Sequence, residues 1–177
     1  AAGGTLPWPV GGRGFGLNHR MRPEFEERVV EVREDSQIVQ DWKGNVCEIG
    51  LEFSTTHLRN AIDFVTRRWV KCPVESRADW EEMKWRYDAE DPARIPVESV
   101  EVLEQLRHRE HYLAWSVHGP FWQLREWLGF KGLCILFADD PAFVRDMILF
   151  WQEYVSRLLQ RALEQVVPDE LHISEDM

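Results

Sequence analysis

The stretch from His111 to Met177 constrains the fold of this chain more than any other. Residues 112–118 are a short apolar run with aromatic and β-branched side chains that stops at Gly119-Pro120, as expected of a buried strand. Residues 171–174, which follow Pro168-Asp169, show a second short strand pattern. A long helical pattern separates the two. A strand, a helix and a second strand predict a βαβ unit, in which the two strands run parallel.

The helical pattern between the strands has a well-marked beginning. Asp140 is a favoured N-cap residue, and Pro141 is favoured at the first helical position. We therefore predict one long helix over residues 141–167, whose apolar stripe packs against the sheet. The residues of that stripe recur every three or four positions: Val144, Ile148, Trp151, Val155, Leu158, Ala162 and Val166.

The ends of the two strands carry the candidate catalytic residues. In folds built from βαβ units, functional groups gather where the parallel strands end. His118 ends the first strand and could act as an acid, a base or a ligand near neutral pH, although a histidine there is more often structural. Glu175 and Asp176 end the second strand, and adjacent strand residues point to opposite sides, so only one can face the site. His172 lies in mid-strand and is predicted to be a core residue.

Length and charge limit the remaining possibilities. The chain has 177 residues, 44% of them hydrophobic, which is enough for one domain with a core. Because it stops directly after a strand, and a parallel strand normally needs a covering helix, we expect a fragment of a longer protein rather than a complete small α/β domain. A formal charge of −10 argues against a nucleic-acid partner. No apolar run reaches membrane-spanning length.

The cysteines predict no metal site. Cys47, Cys72 and Cys134 lie far apart and lack the spacing of metal ligands. We interpret them as buried, reduced thiols of a cytoplasmic protein.

The residues before the βαβ unit predict a separate β-region. Residues 1–24 are rich in Gly, Pro and Arg and are predicted to be irregular. Residues 25–50 predict a charged β-hairpin or meander with a turn at Lys43-Gly44-Asn45, lying outside the main core. Residues 66–70 predict a short extended piece with solvated basic residues, and Ser76 and Asp79 predict a helix-capping box.

Two further helices are predicted around the first strand. One begins at Pro96 and precedes the strand. The other spans Phe121 to Leu128 and ends near Gly129. Its first backbone N–H groups would be free to face an anionic substrate group, or would simply be capped by water. Arg125 on this helix could pair with a substrate carboxylate, although pairing at the surface is the simpler interpretation.

Several segments resemble the uroporphyrinogen decarboxylase family. Residues 119–129, Gly-Pro-Phe-Trp-Gln-Leu-Arg-Glu-Trp-Leu-Gly, are similar to that family's Gly-Ala-Pro-Phe/Trp-Thr-Leu segment. Residues 168–176 resemble its strand that ends in Asp, and Asp140-Pro141 resembles the start of its long helix. Residues 71–74 with Asp79-Trp80 resemble its upstream Pro and Asp-Trp element. The resemblance extends over about residues 40–177 and points to the branch of decarboxylase-like proteins and corrinoid-protein methyltransferases.

The resemblance implies a partial TIM (β/α)8 barrel with an added N-terminal β-hairpin or meander. Residues 1–177 would form a single incomplete barrel domain, with the βα units over residues 66–177. The implied activity is decarboxylation of a carboxylated tetrapyrrole in the barrel mouth. Asp176 falls on the family's strand-end Asp and is the leading catalytic candidate, ahead of Glu175 and His118. Arg125 and Trp127 are substrate-binding candidates, although the family has a Tyr where Trp127 stands, so the hydroxyl group is lost.

Two alternatives remain open from the residues. The first is a corrinoid-dependent methyltransferase, which would act on a methylated compound with a corrinoid protein as partner and with zinc held by later strands; this segment itself implies no cofactor. The second is a non-catalytic binding module, which Trp127 and Met177, in place of the family's Tyr and Ser, favour. The family's N-terminal Arg-x-x-Gly-Arg-x-x-Pro-Glu-Tyr motif is only faintly similar to residues 20–25, and we interpret that similarity as chance. We expect residues 1–177 alone to show no turnover.

Overall fold

The computed structural model describes residues 16–60, 65–95, 98 and 100–175. The predicted irregular segment lies outside the described residues up to position 15. The catalytic candidate Asp176 and the following Met177 also lie outside them.

The first region is a four-stranded antiparallel sheet, with the strands in the order β1-β2-β3-β4. Its strands are β1 Arg28–Val32, β2 Ser36–Gln40, β3 Val46–Gly50 and β4 Arg68–Lys71. The turn between β2 and β3 lies where the sequence predicts it. Gly44 adopts a positive φ of 86°, and the Asp41 carboxylate accepts hydrogen bonds from the backbone N–H groups of Lys43 and Asn45, both at 2.9 Å. Strand β4 is the extended piece predicted at residues 66–70.

Short helices lie between β3 and β4 and between the two sheets. They are α1 Thr55–Asn60, α2 Arg77–Met83 and α3 Val100–Arg107, with 3-10 turns at Lys84–Arg86 and Pro92–Arg94. The capping box is confirmed, because Ser76 Oγ accepts from Asp79 N and the Asp79 carboxylate accepts from Glu75 N at 3.1 Å. The predicted start at Pro96 lies outside the described residues.

The second sheet has the predicted parallel strands. Strand β5 (Ala114–His118) pairs with β6 (Glu170–Ser174) in a parallel register that runs from Ala114 opposite Glu170 to His118 opposite Ser174. The βαβ unit and the α/β class are therefore confirmed. A partial TIM barrel stays a prediction.

Two helices make the crossover between β5 and β6, as the sequence predicts. Helix α4 spans Pro120–Asp139 and is interrupted at Gly129, which has a φ of 68°, so its first segment ends where predicted. A Cβ at Gly129 would lie 2.8 Å from Cys72 Sγ, so this close approach also requires glycine. Helix α5 spans Pro141–Leu163 and begins as predicted, with Asp140 Oδ1 accepting from Phe143 N at 3.0 Å. It ends at Leu163 rather than at residue 167.

Buried aromatic rings fill the space between the helices. We call this set, whose ring centroids lie 4.6–5.7 Å from their neighbours in the set, the aromatic cluster. All of its members are at least 95% buried. They are Trp80, Tyr87, Trp127, Trp151 and Tyr154.

Three burial predictions are wrong. Strand β5 buries Trp115 and Val117 on one face but exposes Ala114 and Ser116 on the other. His172 is exposed rather than in the core, because α4 and α5 cover only one face of the two-stranded sheet and β6 has no buried residue. Of the three cysteines, Cys47 and Cys72 are buried, but Cys134 is exposed. Among the helices that the structure describes, none combines the length and the apolar character needed to cross a membrane.

Candidate functional site

A small cleft of about 20 Å³ lies beside the end of β5. Residues 19–21, which precede the first sheet, form one wall, and the first turns of α4 form the opposite wall. Its polar lining residues are His19, Arg20, Lys43, His118, Gln123 and Glu126. The cleft therefore lies where the sequence predicts a site, at the carboxyl end of a parallel strand.

His118 is held from three sides. Its backbone oxygen accepts a hydrogen bond from Trp151 Nε1 at 2.9 Å, which ties the end of β5 to α5. Its ring Nδ1 lies 3.2 Å from Gln123 Oε1, and its ring centroid lies 5.4 Å from that of Trp122. Burial lowers the pKa of His118, so its imidazole is neutral near neutral pH.

His19 packs edge-on against His118, with the ring centroids 4.7 Å apart. Burial, reinforced by His118 and two arginines, lowers the pKa of His19 to about 3. Both of its ring nitrogens are buried and have no hydrogen-bond partner among the described residues. The cleft thus contains two neutral imidazoles in direct contact.

The buried Arg94 fixes the backbone on both sides of His19. Its guanidinium donates hydrogen bonds to the backbone oxygens of Asn18 at 3.3 Å and Arg20 at 2.6 Å, the two neighbours of His19 in the chain. It also donates to the backbone oxygens of Arg86 at 2.7 Å and Asp88 at 2.5 Å. A single side chain therefore fixes the segment that carries the second imidazole.

The mouth of the cleft carries positive charge. The guanidinium carbon of Arg20 lies 5.1 Å from the Trp42 ring centroid, and no carboxylate pairs with Arg20 in the part of the chain that the structure describes. Lys43 Nζ also lies over Trp42, but Lys43 is paired with Glu126. Arg20 is therefore the cation that remains available to an anionic ligand.

Glu175 occupies the start of α4. Its carboxylate accepts hydrogen bonds from Phe121 N at 3.0 Å and from Trp122 N at 2.9 Å. A Cβ at Gly119 would lie 2.4 Å from the Glu175 carboxylate carbon, so this contact requires glycine. The helix-start N–H groups predicted to be free for an anionic substrate are thus bound by the chain's own carboxylate.

Arg125 and Trp127 differ in their access to the cleft. The guanidinium of Arg125 lies over the Trp122 ring, with its carbon 4.7 Å from the centroid. Trp127 borders the cleft from the aromatic cluster but is fully buried, and its Nε1 donates to the Tyr87 hydroxyl oxygen at 2.8 Å. The hydroxyl group that the sequence lacks at position 127 is therefore present beside it, on Tyr87.

Asp176 lies outside the described residues, and β6 ends two residues before it. Ser174 pairs with His118 across the sheet, and Gly119 N donates to Ser174 O at 2.7 Å. The chain therefore leaves β6 at the same edge at which His118 ends β5. Within the described residues, no group of three His, Cys, Asp or Glu side chains is arranged to hold a metal ion.

Sequence reasoning missed His19, Arg20 and Arg94. A signal for the first two is present, because His19 adjoins and Arg20 begins residues 20–25, the segment faintly similar to the family's N-terminal motif. The start of this segment lines the cleft. No local pattern identifies Arg94, whose partners are backbone oxygens distant in sequence.

Comparison of the chain with protein-family models, with curated proteins and with solved structures finds no match.

Proposed function

We propose that this chain is part of a decarboxylase of the uroporphyrinogen decarboxylase type, which binds a carboxylated tetrapyrrole at the carboxyl ends of β5 and β6. The observation that carries the proposal is the parallel register of these strands. It pairs His118 with Ser174, so β6 ends at the edge of the sheet where the two imidazoles lie. Such an edge is where enzymes built from βαβ units hold their catalytic groups.

In this proposal Arg20 binds a carboxylate of the substrate. Its guanidinium lies over the Trp42 ring, has no carboxylate partner among the described residues and lines a cleft that also contains the imidazoles. An arginine can bind a carboxylate through two parallel hydrogen bonds, which fixes orientation as well as position.

His118 and Asp176 have different roles in the proposed reaction. Decarboxylation breaks the bond between the carboxylate carbon and the carbon attached to the pyrrole ring. The electron pair of that bond is accepted by the pyrrole ring, which is first protonated at a ring carbon. Asp176 is the proposed carboxylate that stabilises the positive charge of this protonated ring. After carbon dioxide has left, neutral His118 takes the added proton from the ring carbon at its free ring nitrogen and gives it to the product carbon, so the one proton consumed is the one that solvent first adds to the ring. The reaction consumes one proton, and its setting is the cytoplasm.

The direct test is carbon dioxide release from uroporphyrinogen by the full-length gene product. We expect His118→Gln to lower kcat by ~10²-fold or more, because general acid–base groups contribute on that scale. The matched control is His172→Gln, a second histidine of the same sheet that is exposed. Equal activity of the two variants would contradict the role of His118.

A second pair of variants tests the binding role of Arg20. Arg20→Gln should raise KM for the carboxylated substrate, while kcat changes less. Arg145→Gln, at an exposed position of α5, is the matched control and should leave KM unchanged. An unaltered KM in Arg20→Gln would remove Arg20 from the proposed site.

The size of the cleft favours a second candidate, methyl transfer between a small methylated compound and a corrinoid protein. About 20 Å³ is far below the usual volume of ligand pockets and is closer to the size of a methyl group than to that of a four-ring tetrapyrrole. Methyl transfer to added corrinoid, together with stoichiometric zinc in the full-length protein, would select this candidate. Ligand binding with neither reaction would instead indicate a binding module.

A further inference from the structure

We propose that Gln123 and Tyr87 are positioning residues that fix neutral His118 as its Nδ1–H tautomer, so that Nε2 is the atom that exchanges a proton with the substrate. The inference rests on the proposed function, because it takes His118 as the proton-transfer group. It adds which nitrogen acts and which buried side chains decide this.

The indole nitrogen of Trp127 can only donate a hydrogen bond. It lies 2.8 Å from the Tyr87 hydroxyl oxygen, and both side chains are at least 95% buried. The Tyr87 oxygen is therefore an acceptor in this contact. Because Trp127 is fixed by the aromatic cluster, the position of the Tyr87 hydroxyl is fixed as well.

Gln123 connects this hydroxyl to His118. Its side-chain nitrogen lies 3.5 Å from the Tyr87 oxygen, and its carbonyl oxygen lies 3.2 Å from His118 Nδ1. In this orientation the amide nitrogen, a donor, faces the Tyr87 oxygen, and the amide oxygen, an acceptor, faces His118. Gln123 is only 6% exposed, so water does not compete strongly for its amide oxygen and nitrogen.

The orientation of the amide decides the tautomer. A carbonyl oxygen only accepts hydrogen bonds, so Nδ1 of His118 must carry the hydrogen that Gln123 accepts. In a neutral imidazole the other nitrogen then has the lone pair. No described residue hydrogen-bonds Nε2 of His118, so this lone pair is left for a proton or a substrate group. A reversed amide would give the opposite tautomer, and this makes the arrangement testable.

The test reads the tautomer directly. Nitrogen NMR of histidine-labelled full-length protein, at a pH where His118 is neutral, distinguishes a protonated ring nitrogen from an unprotonated one. We expect a protonated Nδ1 and an unprotonated Nε2 in the wild type. In Gln123→Leu, the two tautomers should become mixed, while the His172 signals stay unchanged. A wild-type signal from the Nε2–H tautomer, or no change in Gln123→Leu, would overturn the proposal.

A conservative variant separates positioning from packing. Gln123→Glu keeps an acceptor oxygen beside Nδ1, so it should retain the Nδ1–H tautomer and raise the pKa of His118. Tyr87→Phe removes the oxygen that orients the amide, so it should mix the tautomers as Gln123→Leu does. Loss of the tautomer in Gln123→Glu, or its full retention in Tyr87→Phe, would contradict the proposed relay.

Kinetics then connect the tautomer to the reaction. Gln123→Leu should lower kcat by roughly tenfold or more with little change in KM, and Gln123→Glu should restore part of the loss and shift the pH profile. The NMR result does not depend on turnover. A protein with the Nδ1–H tautomer but no decarboxylation would defeat the proposed function alone, and a decarboxylase with the opposite tautomer would defeat this inference alone.

Discussion

The two sheets of this protein are stabilised in different ways. In the antiparallel sheet, the edge strands β1 and β4 expose every residue, and ion pairs join Glu48 of β3 to Arg33 and Arg68. In the parallel sheet, β5 buries Trp115 and Val117 against the helices of the crossover. The edge strands of the antiparallel sheet therefore depend on surface contacts, whereas its central strands, which bury Ile38, Val39, Cys47 and Ile49, and the parallel sheet depend on the packing of apolar side chains.

The two sheets also contribute differently to the cleft. The catalytic candidate His118 ends a strand whose neighbours are anchored by the aromatic cluster, so its position is fixed by packing. The first sheet contributes mainly side chains near the rim, Trp42 and Lys43, just after β2. The packed side of the cleft thus presents the proton-transfer group, and Arg20, which precedes the first sheet and lies over Trp42, presents the charge that binds a ligand.

The largest expected effect comes from the aromatic cluster. Trp151 is 1% exposed and contacts Trp127, Tyr154 and the backbone oxygen of His118. Trp151→Ala should lower the free energy of unfolding by ~3–5 kcal/mol, since it leaves a cavity and an unpaired carbonyl. Trp69→Ala on β4, where the ring is 41% exposed, should cost less than ~1 kcal/mol. Urea unfolding measures both, and similar losses would remove the contrast between the sheets.

The next effect is a pH dependence from the buried His19. Its pKa of about 3 in the folded protein lies below the ordinary 6.5, so the unfolded chain binds the proton first. The associated stability is complete above about pH 6.5 and is lost as the pH falls towards about 3. Each pKa unit corresponds to ~1.4 kcal/mol, so the loss should reach a few kcal/mol.

The matched variants for this pH dependence are two histidines. His19→Gln should flatten the dependence of unfolding free energy on pH between about 6.5 and 4, because Gln does not titrate. His108→Gln, at an exposed position after α3, should leave the slope as in the wild type. If both variants keep the wild-type slope, His19 is not the buried group that the structure indicates.

A smaller effect is expected where the two regions meet, at Gly129 of α4. Gly129→Ala should destabilise the protein by ~1–2 kcal/mol, because its φ of 68° is unfavourable for alanine. The added Cβ would also lie 2.8 Å from Cys72 Sγ. Gly132→Ala, three residues later in the same helix, meets only an ordinary contact of 3.7 Å and should stabilise by ~0.5–1 kcal/mol. Thermal unfolding compares the pair, and the same sign for both would be the contradicting result.

The smallest effect is expected from the ion pairs of the first sheet. Hydrogen bonds from Ser36 and Arg68 lower the pKa of Glu48 to about 2. A lowered carboxyl pKa stabilises the fold above the ordinary value of 4.5, and that contribution is lost as the pH falls towards about 2. Glu48→Gln should therefore reduce acid sensitivity in this window and change stability little at neutral pH in high salt. A large loss at neutral pH and high salt would show that this sheet does not depend on surface pairs in the expected way.

Much of the architecture could be predicted because its signals are local. The N-cap Asp140, the capping residues Ser76 and Asp79, and the break at Gly129 all lie where the residue pattern places them. The parallel pairing followed from the order strand, helix, strand, since a crossover of this length joins parallel strands. The exposure of His172 could not be predicted, because the pattern of one strand does not show which faces of its sheet are covered.

The sequence by itself determined the parallel strands, the long helix that begins at Pro141 and the strand end at which His118 lies, because these depend on periodicity, capping and chain connectivity. Only the tertiary structure decided that His19 contacts His118, that Arg94 holds the chain on both sides of His19, and that Glu175 fills the start of α4. These contacts join residues far apart in the chain, and their energies depend on burial and geometry that no local pattern contains.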